Sequence, residues 1–251
     1  MITPERRRML IIVLPLLALS VVFTGAVIAQ DILPGTRQFG FTTEIDAVPQ
    51  LQIRTGRTGV DLELRDGGGG RIRVEASAEY SGQQPSVSAQ GDLIEVECPA
   101  PGPYDCDMEL VVEVPPGTAV DATNRGGRIE AFGLTGAVDL TTRGGRIMVT
   151  DSSGPIAVET ESGRILVEDA TAPEVTATSR TGEITLRLLE PRRVSATTGI
   201  GTVVIDVGAC QPYAVDTEAS GDETVTIPVD PAAERSVVAR SRNGDVIVDC
   251  R

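Results

Sequence analysis

Glu159 and Glu161, two residues apart in AVETESGRI, are the acids whose spacing comes nearest to a catalytic pair. Two carboxylates flanking a sugar bond can divide acid, base and nucleophilic work between them. Nothing near them in the chain implies a cleft, so they are read as a solvated outer face. Serine and cysteine nucleophiles have no activator, because the chain contains no histidine and no GxSxG motif. The missing histidine also removes the commonest metal ligand. Calcium-binding nonapeptide repeats need GGxGxD with recurring Asp, and Asp is absent from the repeating turn positions here. Gly67 to Gly70 lack the GK[ST] ending and the following helix of a phosphate loop, and read as a flexible turn. The expectation is a non-enzymatic chain with no catalytic residues, no metal and no cofactor.

The remaining chemistry is in the thiols. Cys98, Cys106, Cys210 and Cys250 make an even count, which in an exported chain indicates disulfides. Three connectivities are possible. Cys98 and Cys106 bracket the Pro/Gly-rich loop CPAPGPYDC, which favours local pairing and leaves Cys210 for Cys250. Loop-closure entropy would make these worth about 2.5 and about 4 kcal/mol.

Export is suggested by the N-terminus. Residues 1–8 carry Arg6, Arg7 and Arg8 ahead of an uncharged run from Met9 to Ala29. A helix of that length spans about 30 Å, the thickness of a bilayer's hydrocarbon core. The arginines would hold residues 1–8 in the cytoplasm, making residues 9–29 a single-pass signal anchor with the rest outside. A cleaved signal peptide ending near Val27-Ile28-Ala29, releasing a secreted protein, is the alternative. Residues 30–48 show no clear periodicity and read as a linker.

The elements that would carry any site are strands. From residue 49 to 251, apolar residues alternate with polar ones in short runs bounded by Gly, Pro and Asp. Between Thr123 and Val207 the alternation becomes a repeat, with branched residues at Ile129, Val138, Ile147, Ile156, Ile165, Val175, Ile184, Val194 and Val203. RGGRI at Arg125 to Ile129 returns at Arg143 to Ile147. Glycines 127, 136, 145, 154, 163 and 182 precede the strands, where a tight turn would need positive φ. Two nine-residue units per turn predict an all-β, two-sided β-solenoid of eighteen-residue coils, behind one N-terminal helix. An antiparallel sandwich or meander is the alternative, supported by the hairpin signal at Asn243-Gly244. Only four Phe, three Tyr and no Trp point to a thin interior of Val, Ile, Leu and Ala. The formal net charge of −14 argues against nucleic acid as a partner.

Several of these words resemble a known family. The V-P-x-G-x-x-V of Val114 to Val120, the GLTG of Gly133 to Gly136, the recurring G-x-I and the closing NGDVIV are similar to the bacterial putative-adhesin β-strand-repeat domain of unknown function, related to head-GIN-type adhesin domains. The similarity runs over roughly Leu51 to Val248. It implies an exported or membrane-anchored protein with a right-handed β-helical domain and no catalytic residues. Arg128, Arg146 and Arg164 replace the acidic residue usual in the family's turn.

These expectations converge on a membrane-anchored surface scaffold, a putative adhesin whose partner is a cell-envelope component or membrane protein. A bitopic envelope sensor or regulatory accessory protein is the alternative, and a glycan-active β-helix enzyme is less favoured. Stacked units would place Met148 and Leu166 side by side on an outer face, next to a row of Arg128, Arg146 and Arg164. That patch is the candidate partner surface; cover by the N-terminal strands or a loop is the plainer reading.

Overall fold

A computed structural model describes residues 31–33, 35–56, 59–100 and 105–251. The apolar run at residues 9–29 and the tail at 1–8 lie outside the described residues. Among those described, no helix is long and apolar enough to cross a membrane.

Among the described residues, eight strands precede the repeat: β1 (Asp31–Leu33), β2 (Thr36–Asp46), β3 (Gln50–Thr55), β4 (Val60–Asp66), β5 (Arg71–Tyr80), β6 (Ser86–Gln90), β7 (Leu93–Glu97) and β8 (Cys106–Val114). The long strand β2 therefore occupies the segment expected to be a linker. β2, β5 and β8 pair antiparallel in that order, and β8 then lies parallel to β4.

The repeat follows as β9 (Ala119–Asn124), β10 (Ile129–Phe132), β11 (Val138–Gly144), β12 (Ile147–Thr150), β13 (Ile156–Ser162), β14 (Ile165–Ala170), β15 (Glu174–Thr181), β16 (Ile184–Leu188), β17 (Arg193–Ile200) and β18 (Val203–Val207). Each strand pairs in parallel with the next but one. Ile129, Ile147, Ile165, Ile184 and Val203 are thereby aligned across one sheet, and Val138, Ile156, Val175 and Val194 across the other. All nine are buried. Alternation of side chains along each strand sends these residues inward and their neighbours out.

The chain closes with β19 (Ala214–Ala219), β20 (Glu223–Val225), β21 (Ser236–Ser241) and β22 (Val246–Cys250). Their spatial order departs from sequence order. β21 lies between β17 and β19, and β22 between β18 and β20, so the chain runs to the end of the sheets and then returns one strand inward.

The right-handed solenoid of uniform eighteen-residue coils is corrected by this topology. The strands form two mixed sheets, one of twelve strands and one of ten, with antiparallel ladders at β1/β2/β5/β8 and β6/β7. The register step is also not constant: Ile147 meets Ile165, Ile165 meets Ile184, and Val203 meets Val246. An antiparallel sandwich or meander does not describe it either, because every ladder among β9 to β18 is parallel. Asn243 and Gly244 connect β21 to β22, which belong to different sheets, and make no hairpin. The fold is all-β, with one core of Val, Ile, Leu and Ala between the sheets and few aromatics, Phe39, Tyr80 and Tyr213 among them.

The turn glycines act in two ways. Gly145 has φ 121°, and a Cβ there would sit 2.0 Å from the Gly127 carbonyl oxygen. Gly154 needs no positive φ, but its Cβ would fall 1.9 Å from the Gly136 carbonyl oxygen. The first reason was expected; the close stacking of one turn on the next was not.

Candidate interaction surface

The twelve-stranded sheet places one outward side chain from each central strand in a single line. Glu130, Met148, Leu166, Thr185, Val204 and Ile247 are register partners on β10, β12, β14, β16, β18 and β22. Met148, Leu166, Val204 and Ile247 are half-buried, each flanked by fully buried inward residues. Adjacent strands are about 4.8 Å apart, so the line from Met148 to Ile247 is roughly 20 Å long. Sequence reasoning singled out Met148 and Leu166 and set Val204 in the same outward row without making it part of the patch; it missed Ile247, for which VIVD, with its apolar second residue, was the available signal.

The N-terminal strands do not cover this line. They continue the same sheet past β10, in the order β4, β8, β5, β2, β1.

Arg128, Arg146 and Arg164 align on one flank, immediately before their buried isoleucines. Each is engaged: Arg128 bonds Asp61 at 2.7 Å, Arg146 reaches Glu130 at 3.3 Å, and Arg164 bonds Glu183 at 2.8 Å. These pairs are well exposed and contribute little stability. They leave the flank close to neutral. The other flank runs through Thr150, Glu168, Arg187, Asp206 and Asp249, with Arg187 paired to Glu168. The line of Met148, Leu166, Val204 and Ile247 thus runs between two polar rows.

At the end of that flank Asp206 and Asp249 are register partners. Arg251 bonds Asp206, but one oxygen of each carboxylate is buried without a hydrogen-bond partner. Burial, with Asp206 adding repulsion, holds the Asp249 carboxyl above the usual aspartate range. On the ten-stranded sheet, Asp121 behaves oppositely. The Arg54 guanidinium grips both its oxygens, at 2.8 and 2.9 Å, and lowers its pKa.

Glu159 and Glu161 both lie exposed on β13, and Glu161 reaches Arg180 at 3.7 Å. Among the described residues, no group of three or more metal-ligating side chains comes together. The thiols form two disulfides, Cys98–Cys106 and Cys210–Cys250, with Cα separations of 5.7 and 5.3 Å. The second ties the exit of β18 to the end of its neighbour β22.

A further set of residues went unnoticed in the sequence. Asn124, Thr142, Thr160, Ser179, Thr198 and Ser241 are buried at the turns, each three positions before a turn glycine. The hydroxyls of Thr142, Thr198 and Ser241 donate to glycine carbonyls of the turns. An [S/T/N]-x-x-G pattern was legible once the turn glycines were known.

No family model matches the chain, and no curated protein does. Among solved structures, a putative cell adhesion protein from Clostridium sporogenes aligns at 8% identity and TM-score 0.33, covering 84% of this chain and 99% of that one. A putative adhesin from Bacteroides fragilis aligns at 13% identity and TM-score 0.34, with 84% and 97% covered. A putative lipid binding protein from Parabacteroides distasonis aligns at 12% and TM-score 0.33, with 84% and 96% covered. Similarity at that level assigns this chain to none of their families, and the resemblance to head-GIN-type adhesin domains remains without a matching family model.

Proposed function

We propose that the protein is a non-enzymatic interaction scaffold of the cell envelope, adhesin-like in its role, which holds a rigid sheet face toward a protein or envelope component. One observation supports this reading: Met148, Leu166, Val204 and Ile247 stand in a single register line on a sheet face that none of the described strands covers. Cross-strand packing gives such side chains only a few tenths of a kcal/mol each and leaves them half-exposed, whereas a docking partner would bury the rest. Two disulfides fit an oxidising compartment, and residues 9–29 would supply the membrane anchor.

Sedimentation of the purified protein with isolated cell envelopes tests the proposal. Retention in the pellet that falls at least about tenfold for Met148→Ser/Leu166→Ser is expected. Turnover of a polysaccharide, abolished by Glu159→Gln or Glu161→Gln, would replace it with an enzymatic reading.

A further inference from the structure

On the same sheet, but at the opposite end from Ile247, β2, β5, β8 and β4 enclose an open groove of about 620 Å³. Three features of this groove are not explained by the fold.

The first is charge. Asp61, Glu79, Asp107 and Glu109 line it, and the one arginine in the lining, Arg128, is already bonded to Asp61. Among the described residues, Glu79, Asp107 and Glu109 take part in no ion pair, and all three are exposed.

The second is pairing. Glu79 sits directly opposite Asp107 across the antiparallel β5/β8 ladder. Like charges facing each other in this way destabilise a sheet. A few residues along, the same strands do the reverse: Arg73 faces Glu113 and Glu44, and Arg71 faces Asp46. Along β2, β5 and β8, complementary pairs thus lie outside the groove and a repulsive pair inside it.

The third is Gly40, opposite Ser77 in the middle of the eleven-residue strand β2. A glycine inside a strand weakens it, and commonly marks close approach of a ligand or another backbone. Gly40 does not have a left-handed φ, and a Cβ placed there would meet nothing within 4 Å. Its own fold would accept a larger residue. What glycine does is keep the groove floor bare.

We infer that this groove docks an extended basic segment of a partner protein, with its backbone over Gly40 and Ser77 and its cations on Glu79, Asp107 and Glu109. Asp107 and Glu109 are two apart on one strand, so their spacing of roughly 6.7 Å matches arginines at alternate positions of an extended chain. The inference is independent of the apolar line around Met148, which occupies other strands.

The probe is a labelled decapeptide of alternating arginine and serine, titrated into the full-length protein by fluorescence anisotropy at low salt. The groove account expects saturable binding that weakens at least tenfold in Glu79→Gln/Asp107→Asn/Glu109→Gln. Gly40→Leu, which leaves every charge in place, is expected to weaken it as much; Ser77→Leu substitutes if that variant fails to fold. Neutralising three exposed acids elsewhere, Glu190→Gln/Asp222→Asn/Glu234→Gln, is expected to change affinity less than twofold. Met148→Ser/Leu166→Ser is expected to bind the peptide as the parent does, which separates failure of this inference from failure of the scaffold proposal. Absence of saturable binding, equal losses in the two triple variants, or full binding by both filled-floor variants would overturn it.

Discussion

Asp206 and Asp249 face each other across β18 and β22, each with a carboxylate oxygen buried and unpartnered. β22 is the strand that returns inward to complete the end of the sheet, so the chain's closing contact contains a repulsive pair. The Cys210–Cys250 disulfide beside it holds the same two strands together.

Removing one charge there is expected to stabilise the protein. The folded-state pKa of Asp249 is raised, so the folded state binds more protons than the unfolded one between the two pKa values, and stability falls as pH rises through that window. Asp249→Asn should therefore raise the melting temperature at pH 7. The gain should shrink as pH falls through that window and vanish below the ordinary aspartate range, where the parent carboxyl is protonated in both states. Thermal melts across pH 3 to 8 measure it.

Asp121 should give the opposite profile. Its pKa is lowered by Arg54, so its contribution is present above the unfolded pKa and is lost as pH falls through the folded one. Asp121→Asn is expected to lower the melting temperature at pH 7, with the deficit closing in acid.

The buried hydroxyls permit a comparison within one ladder. Thr142 donates to the Gly144 carbonyl, whereas the Thr160 hydroxyl is buried with no partner. Thr142→Val should cost about 1 kcal/mol, and Thr160→Val should be neutral or stabilising. Chemical denaturation of the two variants side by side checks the ranking.

Stacking of the turns predicts a steeper penalty. Gly145→Ala would combine a positive φ with an overlap on the Gly127 carbonyl, and is expected to cost at least about 3 kcal/mol. Gly40→Ala, with open space around its Cβ, should leave stability unchanged or raised. The same assay on both variants distinguishes a structural glycine from one the fold does not need.

The strands of the repeat were legible because Ile129, Ile147 and Ile165 are bare of ambiguity: a branched residue, an apolar second neighbour and a glycine before each. The sequence repeat carried no information about segments that do not repeat. Thr36 to Asp46 looked like a linker because Phe39, Phe41 and Ile45 are interspersed with Gly and Thr, yet antiparallel pairing with β5 makes it the longest strand. The inward return of β21 and β22 was equally hidden, since Val246 follows Val203 in register across a long excursion that no local pattern announces. Met148 and Leu166 were found as outward positions by period-two reasoning alone. Val204 belongs to the same repeat and follows by that reasoning, whereas the extension to Ile247 required the ladder, because it crosses that same excursion. The groove at Gly40 depended on antiparallel neighbours far apart in the chain, and so could not be read from spacing.

The central claim is that the Met148 to Ile247 face meets a partner. Its most direct test is a photo-crosslinking residue placed at Leu166 in intact cells, compared with one at Thr178 on the outer face of the other sheet. The scaffold account predicts a discrete crosslinked species from position 166 alone, lost when Met148→Ser is added. Equal labelling from both positions, or none from position 166, would contradict it.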